Sequence, residues 1–241
     1  MQILIDGIKI NYHKSGAGLD LLLLHGWGLN MHTFDNLARE LSEDFTVYQI
    51  DLPGFGESEI PYPFTIDDYV EVINEFCSVL SIKNPIILGH SFGGRIAMKY
   101  ASSYKVSKLI LVASPGIKQK FNIVKFAKIK LYKICKKLKI NLFIGSKDYK
   151  NANSVMKSTL VMAVNEDLSI YLASIKVSTL LLYGQKDKIV PLYIGKRINK
   201  LIKGSGLVVI PNSNHFPYID KFRYFLIVTK HFLLSDSKWF R

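Results

Sequence analysis

The chain has 241 residues, 49% of them hydrophobic, and a formal net charge of +13. That length can bury a sizeable core, in one large domain or two small ones, and the apolar content excludes a disordered chain. Residues 1–6 lack the charged start and apolar core of a secretion signal, and no apolar run approaches the roughly 20 residues that cross a bilayer.

From the N-terminus, segments 3–5 and 8–13 read as a hairpin turning at Asp6-Gly7. Residues 21–24 are four consecutive leucines, the pattern of a strand covered on both faces. Phe34, Leu37, Ala38 and Leu41 recur at helical spacing. Segment 45–50 is the next strand and ends in the turn-rich Asp51-Leu52-Pro53-Gly54-Phe55-Gly56-Glu57-Ser58. Thr65 can cap a helix whose apolar face is Ile66, Val70, Ile73, Cys77 and Leu80. The short strand 85–88 then meets Gly89-His90-Ser91-Phe92-Gly93 and a helix beginning at Gly94. Strands follow at 109–113, 179–183 and 207–210, and a helix closes the chain at 222–234. Alternating strands and helices predict an α/β fold: a mostly parallel eight-stranded sheet with helices on both faces.

Residues 116–178 contain no convincing strand and are too many for a plain loop, so a helical cap is expected at 117–177, inserted before the seventh strand. The core is then 1–116 with 178–241. Between Glu75 and Asp148 there is no acidic residue, yet the stretch holds 15 of the 32 lysines and arginines. A lysine-rich composition alone would spread them evenly. Within the cap, Lys125, Lys130, Lys133, Lys136 and Lys137 share one helix face, opposite Ile123, Val124, Ala127, Leu131, Ile134, Cys135 and Leu138. Such a face is either simply solvated or a docking surface for an acidic carrier protein or an anionic membrane. Nucleic acid is not expected, because no aromatic platform accompanies the charge.

The G-x-S-x-G pentapeptide 89–93 carries the chemistry. A serine at a sharp strand-to-helix turn sits in a strained conformation and needs very small neighbours two residues away on each side. Its hydroxyl also needs a base, itself oriented by a carboxylate. His215, in Pro211-Asn212-Ser213-Asn214-His215, follows the last strand, and Asp187 lies in the turn after strand 179–183. Taken singly, each is an ordinary loop or turn residue. Together, Ser91, Asp187 and His215 stand in the order Ser, Asp, His, each beyond the C-terminal end of a strand, where open α/β sheets place their sites. Oxyanion donors are expected from the backbone amides of Phe92 and of Trp27 in His25-Gly26-Trp27-Gly28. His25 is expected to fix that loop rather than act as a second base. Trp27, Phe126, Met156, Leu160 and Met162 are candidates for the acyl pocket, although their spacing equally suits ordinary core. No metal-ligand cluster and no cofactor motif occurs. Cys77 and Cys135 read as buried free thiols, which favours a reducing cytoplasm.

With these landmarks in order, the chain resembles the α/β-hydrolase superfamily over nearly its full length. Within it, His25-Gly26-Trp27-Gly28-Leu29-Asn30 followed by residues 51–58 is similar to the pimeloyl-acyl-carrier-protein methyl ester carboxylesterases of biotin synthesis. That resemblance implies a monomeric cytoplasmic esterase whose cap can dock an acidic carrier, although the cap carries lysines where that family uses mainly arginines. C–C bond hydrolysis, aminopeptidase chemistry and a receptor with vestigial catalysis share the same core motifs.

Overall fold

The computed structural model describes residues 1–118 and 152–235. Its centre is an eight-stranded sheet in the order β1-β2-β4-β3-β5-β6-β7-β8, where β1 is Gln2–Ile5, β2 Ile8–Ser15, β3 Leu19–Leu24, β4 Phe45–Ile50, β5 Ile86–His90, β6 Lys108–Val112, β7 Thr179–Gly184 and β8 Ser205–Ile210. Strands β3 to β8 run parallel, while β2 is antiparallel to both its neighbours.

Period-two alternation puts both faces of the sheet in contact with helices. Leu22, Leu24, Ile87, Leu109, Leu111, Leu181 and Tyr183 face one buried cluster. Leu21, Leu23, Leu88, Ile110, Val112, Leu180 and Leu182 face the other. Helix α2 (Ile66–Val79) and helix α3 (Phe92–Ser103) cover the first face. Helix α1 (Asp35–Leu41) and the closing helix, Phe222–Leu234, cover the second. The Thr65 cap is a full capping box, in which the hydroxyl accepts from the Asp68 amide and the Asp68 carboxylate accepts from the Thr65 amide.

Several strands outrun the sequence expectation, among them β5 to His90 and β8 from Ser205, and the pairing explains two of them. β2 extends to Ser15 because it pairs with β1 over its first half and with β4 over its second. β3 begins at Leu19, whose 66% exposed side chain sits outside the apolar run, because its backbone pairs with Phe45. Of the expected cap, residues 117–118 and 152–177 are described. They hold helix α4 (Ser154–Asn165) and the short helix α5 (Ser169–Leu172), with no strand among these described residues. Helices α6 (Leu192–Leu201), α7 (Pro217–Asp220) and α8 (Phe222–Leu234) complete the chain. No helix among the described residues is long and apolar enough to cross a membrane.

Candidate active site

Because β3, β5, β7 and β8 are parallel, the loops that follow them open at one edge of the sheet, and each delivers one part of the site. Ser91 stands between β5 and α3 with φ 49° and ψ −108°. Its amide donates to the carbonyl of Val112 at the end of β6 (2.9 Å), which anchors the turn. The flanking glycines are required by contact. A β-carbon at Gly89 would lie 2.5 Å from the carbonyl oxygen of Gly93, and one at Gly93 would lie 2.2 Å from that of Leu24.

His215 follows β8 and Asp187 follows β7. The Nδ1–H of His215 donates to Oδ2 of Asp187 (2.8 Å), and its Nε2 lies 3.1 Å from the Ser91 hydroxyl. A carboxylate can only accept, so Nδ1 carries the proton and Nε2 is the lone pair facing Ser91. The Asp187 side chain is fully buried, and its other oxygen accepts from the amides of Ile189 (2.8 Å) and Val190 (2.9 Å). The His215 loop is held from below by Asp220, which accepts from the amide of Asn214 (2.6 Å) and the hydroxyl of Ser213 (3.2 Å).

Phe92 is the first residue of α3, where a helix has no internal acceptor for the N–H. Neither its amide nor that of Trp27 has a hydrogen-bond partner among the described residues. The two residues are locked together: the Trp27 ring packs edge-on against Phe92 (5.2 Å between centroids) and against Phe55 (5.0 Å). The Gly93 amide donates to the carbonyl of His25 (3.0 Å), tying the helix start to the loop that carries Trp27.

His25 is fully buried with both ring nitrogens engaged. Nδ1–H donates to the carbonyl of Gly26 (2.8 Å), and Nε2 accepts from the amide of Leu52 (3.0 Å). Burial pushes its pKa down to about 4, so it is a neutral fastener joining the loops after β3 and β4. Asp51 fixes the second of those loops. It accepts from the amides of Met31 (2.7 Å) and Glu57 (3.0 Å) and from the side-chain amide of Asn11 (2.8 Å).

Of the acyl-pocket candidates, Met156 is buried in the core, where its sulfur would stand 2.5 Å from a β-carbon at Gly54. Leu160 and Met162 are half-buried on the same helix. Phe126, Cys135 and the lysines at 125, 130, 133, 136 and 137 lie outside the described residues. Cys77 is a buried free thiol whose pKa burial pushes up to about 12.

Sequence reasoning missed how residues 159 and 166, within the expected cap, are anchored. Lys99 on α3, only 5% exposed, pairs with Asp67 (2.8 Å) and Glu166, while Arg95 donates to the Glu166 carbonyl (2.6 Å). Burial pulls the Lys99 ammonium down, but its two carboxylates outweigh that and leave its pKa raised. The Thr159 hydroxyl accepts from the Phe64 amide (3.0 Å). The available signal was two basic residues, at 95 and 99, inside an otherwise apolar helix face.

Residues 21–133 match the family model described as alpha/beta hydrolase fold. The chain is 31% identical to the pimeloyl-[acyl-carrier protein] methyl ester esterase of Wigglesworthia glossinidia brevipalpis, over 90% of this chain and 95% of that protein. The chain belongs to the α/β-hydrolase family. This hydrolase is also 28% identical to the pimeloyl-[acyl-carrier protein] methyl ester esterase of Vibrio cholerae, over 89% of this chain and 94% of that protein. Among solved structures, the esterase EaEST from Exiguobacterium antarcticum superposes on the hydrolase with a TM-score of 0.81 and 26% identity. That match covers 96% of this chain and 98% of the esterase.

Proposed function

We propose that this hydrolase is a serine carboxylesterase that works through an acyl-enzyme on Ser91, and that its substrate is the methyl ester of a carrier-linked acyl chain. The observation that carries the reading is the Ser91–His215–Asp187 relay beside the amides of Trp27 and Phe92, which have no partner among the described residues. The Ser91 hydroxyl attacks the ester carbonyl while Nε2 of His215 takes its proton. Asp187 keeps His215 in the required tautomer and stabilises the imidazolium that forms. The two amides bind the oxyanion, each contributing about 3 kcal/mol. His215 then gives its proton to the leaving alcohol. Water deprotonated by the same ring hydrolyses the acyl-enzyme.

The finer substrate assignment leans on the two curated esterases and on the basic segment between Glu75 and Asp148. The lysines at 125, 130, 133, 136 and 137 would receive the acidic carrier by electrostatic attraction, in competition with salt. The test is a chain-length series of methyl and aryl esters, free and carrier-linked, assayed with wild type and Ser91→Ala. Preference for the carrier-linked methyl ester, weakened by about 0.2 M salt, supports the reading. Equal rates on free and carrier-linked esters remove the carrier, and equal rates for wild type and Ser91→Ala remove the serine mechanism.

A further inference from the structure

His90, the residue before Ser91, has no part in the relay, yet it touches both the loop that carries His215 and the loop that carries Trp27. It is the last residue of β5 and 1% exposed. Its Nε2–H donates to the backbone carbonyl of His215 (3.0 Å). Because Nε2 must be the donor, Nδ1 is the acceptor, and the Tyr218 hydroxyl approaches it at 3.4 Å. Tyr218 in turn meets the Thr33 hydroxyl (3.3 Å), in the segment that follows the Trp27 loop. Gly26 packs on the ring itself, since a β-carbon there would lie 2.8 Å from Nδ1 of His90. The rings of His215, Phe216 and Tyr218 surround it with centroids at 4.9, 5.2 and 5.1 Å.

We propose that His90 is a positioning residue: by holding the carbonyl of His215 from the strand that carries Ser91, it sets the base in register with the nucleophile. The logic is one of rigid linkage. Ser91 is covalently next to His90, so a hydrogen bond from His90 to the backbone of residue 215 fixes the two reacting side chains through a single peptide unit and one imidazole. Without it, the 211–216 loop keeps its Asp220 and Asp187 contacts but loses its only described bond to β5. A misplacement near 1 Å at a reacting pair costs up to about a hundredfold in rate. Burial, reinforced by the adjacent His215, pushes the His90 pKa down to about 3. A neutral ring here leaves room for the positive charge that His215 takes up in the reaction.

This role rests on the esterase reading, and a matched pair of variants tests it. His90→Gln and His90→Met have similar length and volume, and only the former retains an N–H donor. Turnover is measured on an aryl ester, per active site titrated with a fluorophosphonate. His90→Met should lose about 10- to 100-fold in kcat with KM within about twofold, and His90→Gln should recover most of that loss. Equal kcat per titrated site in the two variants overturns the proposal. If His90→Met does not fold, Tyr218→Phe decides, with a severalfold fall in kcat expected and unchanged kcat contradicting the role. Wild type that leaves the fluorophosphonate unreacted ends the esterase reading, and this role with it.

Discussion

Asp187 and His215 are joined by a 2.8 Å hydrogen bond in which the carboxylate is, among the described residues, the sole acceptor for Nδ1, and the other carboxylate oxygen is held by two backbone amides. The aspartate is therefore fixed before the imidazole is. Asp187→Asn should keep the fold but offer Nδ1 an N–H, favouring the tautomer whose Nε2 is protonated. Turnover of an aryl ester should fall by about 10⁴ with little change in KM. A loss below tenfold would show that the tautomer is set elsewhere.

The helix that follows Ser91 meets the sheet at Gly94, where a β-carbon would fall 1.8 Å from the Ser114 hydroxyl and 2.5 Å from its β-carbon. That serine caps the neighbouring strand end by donating to the carbonyls of Gly89 (3.2 Å) and Val112 (3.1 Å). Gly94→Ala should destabilise the protein by about 2 kcal/mol through overpacking. Gly94→Ala with Ser114→Gly should regain part of this, because the obstructing atoms are gone. Urea titration of the two variants checks the coupling.

His25 and His90 prefer the neutral form when folded, down to about pH 4 and about pH 3 respectively, each through burial first. Unfolding exposes rings that bind protons below about pH 6.5. Stability is thus full above that pH and falls as the solution is acidified toward the folded values, by about 1.4 kcal/mol per pH unit per histidine. Thermal melts from pH 7 to 4 should show this slope, and His25→Gln should make it shallower. A variant with an unaltered slope would mean that other groups set the acid limit.

Lys99 joins helix α2 to the end of helix α4 through Asp67 and Glu166, but the Asp67 side chain is 68% exposed and can rehydrate once its partner is lost. Lys99→Ala should therefore cost about 1–3 kcal/mol, much of it lost packing of the alkyl stem, and Lys99→Met should cost less. Chemical denaturation of the two variants separates these contributions, and equal losses would make the ion pairs dominant.

What the sequence disclosed was local or order-dependent. Ser91 stood out because its glycine spacing answers a backbone strain, and Asp187 and His215 because parallel strands must end at one rim. His25 was legible as a fastener because a loop histidine beside glycines needs partners. The remaining polar framework was not legible. His90 to His215, Asn11 to Asp51 and Phe64 to Thr159 join residues 125, 40 and 95 positions apart. Those pairings depend on loop paths that no periodicity encodes. Met156 showed the limit of pattern reading: helical spacing fits a pocket wall and a core residue alike, and its buried seat against Gly54 depends on a loop path that spacing does not encode.

The most direct test of the central claim is intact-mass measurement of the protein quenched during turnover of a slow ester, with peptide mapping of the adduct. A single acyl group on Ser91, absent from Ser91→Ala and strongly reduced in His215→Ala, is the predicted result. Ester turnover with no adduct on Ser91, and undiminished in Ser91→Ala, would contradict the account.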